Sequence, residues 1–321
     1  MAIDQAAGQG ATAAGWSPST RWRRFEAGSV VLFLLACAAV TVLTTVGIVL
    51  ALGIETVNFF RVAEVGPLAF VFGTETGAPK FGILPLIWGT FAVAAGSALV
   101  GLPIGLLSAI YLSEYAPRGL RAVLKPTLEL LAGVPSIVYG FLAWQFVTPA
   151  LKVIFNPLLR ATGTGLEVET FNVMSASLVV GIMIIPLVSS LSEDVLSAVP
   201  RGLREAAYGL GATKFEVSTK VVLPSALSGV VASFILAISR AVGETMAVTL
   251  AAGSVAQITL NPFTSIETMT AYMVAVLGGE AAPGSAEWLS LFAVGMVLFS
   301  ITLALNLASG LVLRRYREAV H

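Results

Sequence analysis

Apolar residues in this chain come in long runs rather than in alternation with polar ones. The runs cover roughly residues 27–52, 84–112, 127–155, 172–192, 225–252 and 288–313. Each is long enough to cross the hydrocarbon core of a bilayer, for which about 20 residues suffice. A lipid-exposed segment has to satisfy its own backbone hydrogen bonds, so the runs predict helices. The expected fold is all-α and polytopic, with six transmembrane helices. Pro103, Pro135, Pro149 and Pro186 fall inside runs; neighbouring helices can re-satisfy the groups they free, so they predict kinks rather than breaks.

The first run follows RWRRF (21–25), an order that a signal peptide shares. The apolar core of a signal peptide is only about 7–15 residues, so this run reads as a retained span. The expected organisation is a disordered cytoplasmic tail (1–24), a first helix with its extracytoplasmic loop (25–83), a five-helix domain (84–313) and a short cytoplasmic tail (314–321). TMTAYMVAVL (268–277) is apolar but too short to span, and predicts an interfacial or re-entrant helix.

Composition agrees with a membrane protein. Of 321 residues, 57% are hydrophobic and 11% charged, against about 25% charged in soluble domains. Cys37 and His321 are the only cysteine and histidine. An intrachain disulfide, a His/Cys metal cluster and a Ser-His-Asp triad are therefore excluded. No metal site is expected.

Charge placement orients the spans. With the N-terminus inside, the inner segments hold Arg21, Arg23, Arg24, Arg118, Arg121, Lys125, Arg201, Arg204, Lys214, Lys220, Arg314, Arg315 and Arg317. The outer segments hold Arg61, Lys80, Lys152 and Arg160. Thirteen against four follows the positive-inside rule. Both termini are expected in the cytoplasm.

The remaining basic residue, Arg240, lies inside the fifth run with Glu244 four positions on. On one helix the two would share a face. Either they form a structural ion pair, or Arg240 presents its guanidinium to a passing oxyanion while Glu244 holds it and limits the field. Ser136 and Tyr139 could add hydroxyls to the same pathway, or make local bonds in a kinked helix. Glu193 and Asp194 close the fourth run, and Gly96, Gly101 and Gly105 in the second predict close helix packing.

The longest inner segment, PRGLREAAYGLGATKFEVSTKVVLP (200–224), is amphipathic. Ala206, Ala207, Leu210 and Gly211 would form a small-residue face flanked by Arg204, Glu205 and Lys214. Such a face suits docking of another protein surface; the plainer alternative is a helix lying on the membrane.

EAAYGLGATKFEVSTKVVLP resembles the EAA motif of ABC importer permeases, matching it at Glu205, Ala206, Ala207, Gly211, Leu223 and Pro224, with Val221 for the usual Ile. FGILPLIWGT (81–90), IYLSEYAP (110–117), LKPTLELLAGVPSIVYGFLA (124–143) and SRAVGETMAV (239–248) are similar to the phosphate importer permeases of the PstC type. The resemblance implies a type I ABC importer permease (MetI-like) fold in a bacterial cytoplasmic (inner) membrane, with 200–224 as the coupling segment. It implies a second homologous permease subunit, two ATPase subunits and an extracytoplasmic phosphate-binding protein as partners, and no nucleic acid. ATP and Mg are expected on the ATPase partner and no cofactor in this chain, because GTETGAPK (73–80) has the wrong glycine spacing for a phosphate loop and lacks the following Ser or Thr. Permeation of another oxyanion (sulfate or molybdate) and ion-coupled transport are the rival readings.

Overall fold

The computed structural model describes the backbone of residues 20–161, 163 and 165–318. The tail expected over 1–24 lies outside the described residues up to residue 19, and residues 20–24 are helical, continuous with the apolar run that follows. Residues 319–321 of the expected C-terminal tail also lie outside them. Among the described residues every regular element is a helix.

The chain divides into two compact units, Met1–Ala51 and Leu52–His321. The first carries most of helix α1 (Thr20–Ala63). Between Val30 and Leu50 nearly all its large apolar side chains are exposed, and the hydroxyls of Thr41, Thr44 and Thr45 bond back to carbonyls of the same helix, the pattern of a helix whose solvent is lipid.

The second unit begins with the end of α1 and α2 (Pro67–Phe72), then α3 (Leu84–Ile110), which closes in a π turn at Tyr111–Tyr115. Helix α4 (Arg118–Ala132) is separated from α5 (Ser136–Leu142) at Gly133–Pro135. The expected span at 127–155 therefore starts later. Pro135 stands at the boundary instead of kinking a continuous helix, because a proline biases the residue before it away from α geometry. A π turn, Ala143–Val147, leads from α5 into α6 (Thr148–Ala161). Helix α7 (Val173–Ser197) precedes α8 (Arg201–Gly209), α9 (Lys214–Glu216), a π segment Val217–Val222 and α10 (Leu223–Ser225). The chain ends with α11 (Leu227–Val242), α12 (Met246–Ala251), α13 (Met269–Gly278) and α14 (Ala286–Glu318).

Five described helical stretches are long and apolar enough to cross a membrane: Ser29–Ala63, Leu84–Tyr115, Ser136–Ala161, Val173–Ser197 and Ala286–Leu311. Lys214–Ser225 and Leu227–Val242 meet at 73° and are long and apolar enough only when taken together as a bent pair, a further candidate crossing that is fifth in chain order. The expected continuous span at 225–252 is thus corrected. Helix α11 stops at Val242 and α12 starts at Met246, leaving a non-helical break at Gly243–Thr245.

Helices α3 and α7 form the centre, and glycines bring them together. A Cβ on Gly101 would lie 2.5 Å from Ile184 Cγ1 and 2.6 Å from the Gly181 carbonyl; one on Gly105 would lie 2.6 Å from Val188 Cβ. Gly96 faces Ser177 in the same way. Around this contact lie Val93, Ala94, Ala176, Val180, Ile184, Val188, Ala237 and Ala241. A second core stacks Phe59 against Phe70 and Phe81, with ring centroids 5.1 and 5.5 Å apart. It closes the end of the bundle remote from the basic residues of α4 and α8. Outside, Leu99, Leu130 and Val153 are exposed while Thr90, Ser97, Asn172 and Ser175 are buried. Polar-in and apolar-out is the inverse of a water-soluble fold and fits lipid as solvent.

At that remote end Glu267 lies in the loop before α13, only 7% exposed. Burial pushes its carboxyl up to about 7. Its pocket is shared with Thr76, Ser254, Tyr272 and Glu287.

Two expectations follow. Gly101→Val should lower the thermal midpoint of the purified protein in detergent by the equivalent of about 1–3 kcal/mol, because the new side chain meets backbone that cannot yield. Gly119→Ala, where a Cβ meets nothing within 4 Å, should be neutral or stabilising; equal losses would contradict the packing account. For Glu267 the neutral form is favoured in the folded state, so its effect on stability should decline as pH rises from about 4.5 to about 7 and level off above. Glu267→Gln should flatten that part of the stability–pH curve and raise the midpoint at pH 8; an unchanged curve would contradict the assignment.

Candidate functional site

The break in the fifth crossing reorganises the charged pair. Arg240 lies in the last turn of α11 and is exposed; Gly243 ends the helix, and Glu244 lies beyond it. The expectation that both share one helical face is therefore overturned, and no ion pair joins them. Each charge instead sits at a helix end of matching polarity, the cation at a C-terminus and the anion at an N-terminus.

Glu244 turns forward. Its carboxylate accepts a hydrogen bond from Ala247 N at 3.2 Å, capping α12. Its own carbonyl accepts from Thr270 Oγ1 at 2.7 Å, and Gly243 N donates to Ser239 O at 3.2 Å. Thr270 Oγ1 pairs with Thr268 Oγ1 at 3.1 Å, and Thr90 Oγ1 accepts from Met269 N at 3.0 Å. A buried polar seam thus ties the break to α13 and α3. Thr90, Thr268 and Thr270 were not singled out in the sequence; a threonine in an apolar run is too common to be a signal.

Ser136 and Tyr139 lie on α5, which packs against α12: a Cβ on Gly140 would lie 3.0 Å from Ala247 Cα. The structure therefore sets the helix of Ser136 and Tyr139 beside the one that Glu244 caps. Tyr139 has a local task, since its hydroxyl donates to Leu131 O at the end of α4, at 3.2 Å. Both side chains are half-buried.

At the basic end, the segment 200–224 is not one amphipathic helix. Helix α8 contains Glu205, Ala206 and Ala207 and ends at Gly209. Gly211 N donates to Tyr208 O at 2.9 Å and Ala212 N to Ala207 O at 3.1 Å, the bonding of a Schellman stop. Gly211 has φ +85°, in the left-handed region, which L side chains adopt with strain. The small-residue face expected to run through Leu210 and Gly211 is corrected accordingly. Gly211 ends the helix and reverses the chain, and a Cβ there would meet nothing within 4 Å.

The reversal exposes Leu210 (90%) and Phe215 (68%) on a segment otherwise rich in charge. Thr213 then caps α9 reciprocally with Glu216, and the Thr213 and Lys220 hydrogen bonds hold the Glu216 carboxyl down to about 2. Leu223 and Pro224 occupy α10, immediately before the 73° bend into α11. The Val221 carbonyl accepts from Ser225 Oγ at 2.7 Å.

Glu193 and Asp194 serve the same end. Glu193 is completely buried and is bound by Arg121 and, at 2.7 Å, by Lys125, which also binds Asp194. Burial lowers the Lys125 pKa, but its bonds to Asp194 and Glu193 outweigh this and raise it. Two cations of α4 are thereby latched to α7.

The family model described as binding-protein-dependent transport system inner membrane component matches residues 101–318. The chain is 33% identical over 271 residues to the probable ABC transporter permease protein YqgH of Bacillus subtilis, covering 83% of this chain and 84% of that one. It is 35% identical over 245 residues to the phosphate transport system permease protein PstC of Mesorhizobium japonicum, covering 73% and 74%. A solved bacterial ABC transporter involved in import of the acidic polysaccharide alginate superposes with a TM-score of 0.60 at 17% identity, over 92% of this chain and 98% of that one, and so shares the fold. The family model covers most of the chain and the Bacillus subtilis relative more than four-fifths: the chain belongs to the binding-protein-dependent transport system inner membrane components, as a permease subunit of an ABC importer.

Proposed function

We propose that this permease subunit passes inorganic phosphate inward across the membrane, with Arg240 contributing to the anion pathway. The observation that carries the reading is the interrupted fifth crossing. It leaves an exposed guanidinium at a helix end within an apolar crossing, in a chain 35% identical to a protein named for phosphate transport. A guanidinium offers charge and a planar fork of donors to an oxyanion. Glu244 holds the break in shape through Ala247 N and moderates the local positive field. Ser136 and Tyr139 line the adjoining α5.

The same reading assigns residues 200–224 as the dock for a separate ATPase, which supplies ATP and Mg. Leu210 and Phe215 form its apolar contact, Gly211 sets the turn, and Glu205, Ala206 and Ala207 lie on the helix leading into it. Exposed apolar side chains on a polar segment are the pattern of a protein contact. Leu223 and Pro224 connect the dock to the fifth crossing. The complete importer would contain a second homologous permease subunit, two ATPase subunits and an external phosphate-binding protein.

The assembled complex in lipid vesicles should take up labelled phosphate on ATP addition, with excess sulfate competing weakly. Strong sulfate competition would favour the other oxyanion reading. Arg240→Gln should reduce uptake at least tenfold without lowering the amount of complex recovered, and Arg240→Lys should recover only part. Because the two side chains are not paired, the effects of Arg240→Gln and Glu244→Gln on thermal stability should add; a large coupling between them would restore the ion-pair reading.

Topology is tested separately. Single cysteines at Ala212 and Gly284 in a Cys37→Ala background should react differently with an impermeant thiol reagent on intact cells. Position 284 should label and position 212 should not; the reverse pattern would invert the assignment.

A further inference from the structure

Both arms of the 200–224 segment end on one turn of α3. From α8, Arg204 Nη2 donates to Glu114 Oε1 at 2.8 Å, and its Nε lies 3.3 Å from both carboxylate oxygens. The same guanidinium donates to Leu196 O at 2.8 Å and to Val199 O, the last carbonyls of α7 and the turn after it. From α9, beyond the Gly211 reversal, the Lys214 ammonium sits 4.9 Å above the Tyr115 ring. Glu114 and Tyr115 are neighbours in the π turn Tyr111–Tyr115.

This is a built joint. The Arg204 and Glu114 side chains are 16% and 6% exposed. Removing either partner from a pair so desolvated leaves an uncompensated charge. Ser113 Oγ fixes Glu114 further, donating to Oε1 at 2.9 Å. A π turn has a wider bonding register than the α-helix it ends, and such turns recur at functional positions. The guanidinium reaches one carboxylate and two carbonyls from three separate nitrogens, a planar spread of donors that the single nitrogen of an ammonium lacks.

Helix α3 carries the joint through the bundle. It is locked to α7 by the close approaches at Gly101 and Gly105. Near its other end Thr90 accepts from Met269 N, and the adjoining Thr270 holds the Glu244 carbonyl. One continuous helix therefore links the basic-end segment to the broken crossing.

We propose that Arg204 is a positioning residue that transmits displacement of the 200–224 segment to α3 by gripping Glu114 in the π turn. The inference rests on the reading of that segment as the ATPase dock. It places Arg204 behind the dock, not in it: Leu210 and Phe215 meet the ATPase, and Arg204 passes the movement on.

The test measures phosphate moved per ATP hydrolysed, together with co-purification of the ATPase subunit, in the reconstituted importer. Arg204→Gln and Glu114→Gln should retain the ATPase and its ATP hydrolysis, while phosphate moved per ATP falls at least tenfold. Arg204→Lys should recover part of the ratio. A purely structural weakening would reduce the quantity of complex and leave the ratio intact, so an unchanged ratio in both Gln variants overturns the proposal. Loss of the ATPase from both variants would put Arg204 in the dock and overturns it as well. Should Arg204→Gln fail to assemble, Glu114→Gln decides alone, since it breaks the same joint from the other side. The docking reading has its own control: Leu210→Glu with Phe215→Glu should release the ATPase. Retention of the ATPase and of uptake in that double variant would refute the dock without bearing on the Arg204–Glu114 contact.

Discussion

Every backbone polar group inside a bilayer has to find a partner within the protein, because no water is there to supply one. An unmet buried group costs about 1–3 kcal/mol, so a helix can be interrupted at membrane depth only where neighbours supply the bonds. The break at Gly243–Thr245 satisfies this condition. Glu244 caps Ala247 N, Thr270 meets the Glu244 carbonyl, and Thr90 meets the first amide of α13. The packing of α3, α5, α12 and α13 around that point follows from the requirement, and the exposed Arg240 follows from the break.

A second consequence appears at the basic end. There, unlike the apolar centre, charges are concentrated, and several are paired across helices. Glu193 is buried against Arg121 and Lys125, and Glu114 against Arg204. These pairs do little for net stability compared with apolar side chains of similar volume, but breaking one is severe. They are better understood as fixing geometry: α4 to α7 in one case, the 200–224 segment to α3 and α7 in the other. The glycines of α3 do the same by contact, since their missing side chains let α7 approach until carbonyl and methyl groups touch.

Much of this was legible in the amino-acid sequence. Long apolar runs dictated helices and a membrane because length and hydropathy are local properties. The unequal distribution of Arg and Lys gave them an expected orientation. Gly96, Gly101 and Gly105 announced a close helix contact, and Glu205, Ala206, Ala207, Gly211, Leu223 and Pro224 marked the segment later found before the 73° bend. The boundary between α4 and α5 at Gly133–Pro135 was read as a kink within one span, because an apolar run does not record where the chain turns within it.

What only the tertiary structure decided was partnership. Four-residue spacing put Arg240 and Glu244 on one face if the helix continued, yet Glu244 gained a different bond by leaving it. The Glu244 carbonyl at the break is met by a hydroxyl from α13, 26 residues away, and spacing within one run carries no trace of it. Gly211 was recognised as important, but its task as a left-handed stop required the φ value and the two bonds that define it. Arg204 looked like one flanking charge among several. Its reach to Glu114, 90 residues earlier in the chain, exists only once α3 and α7 have packed. Local chemistry set what each segment is, and long-range packing set what each charged side chain touches.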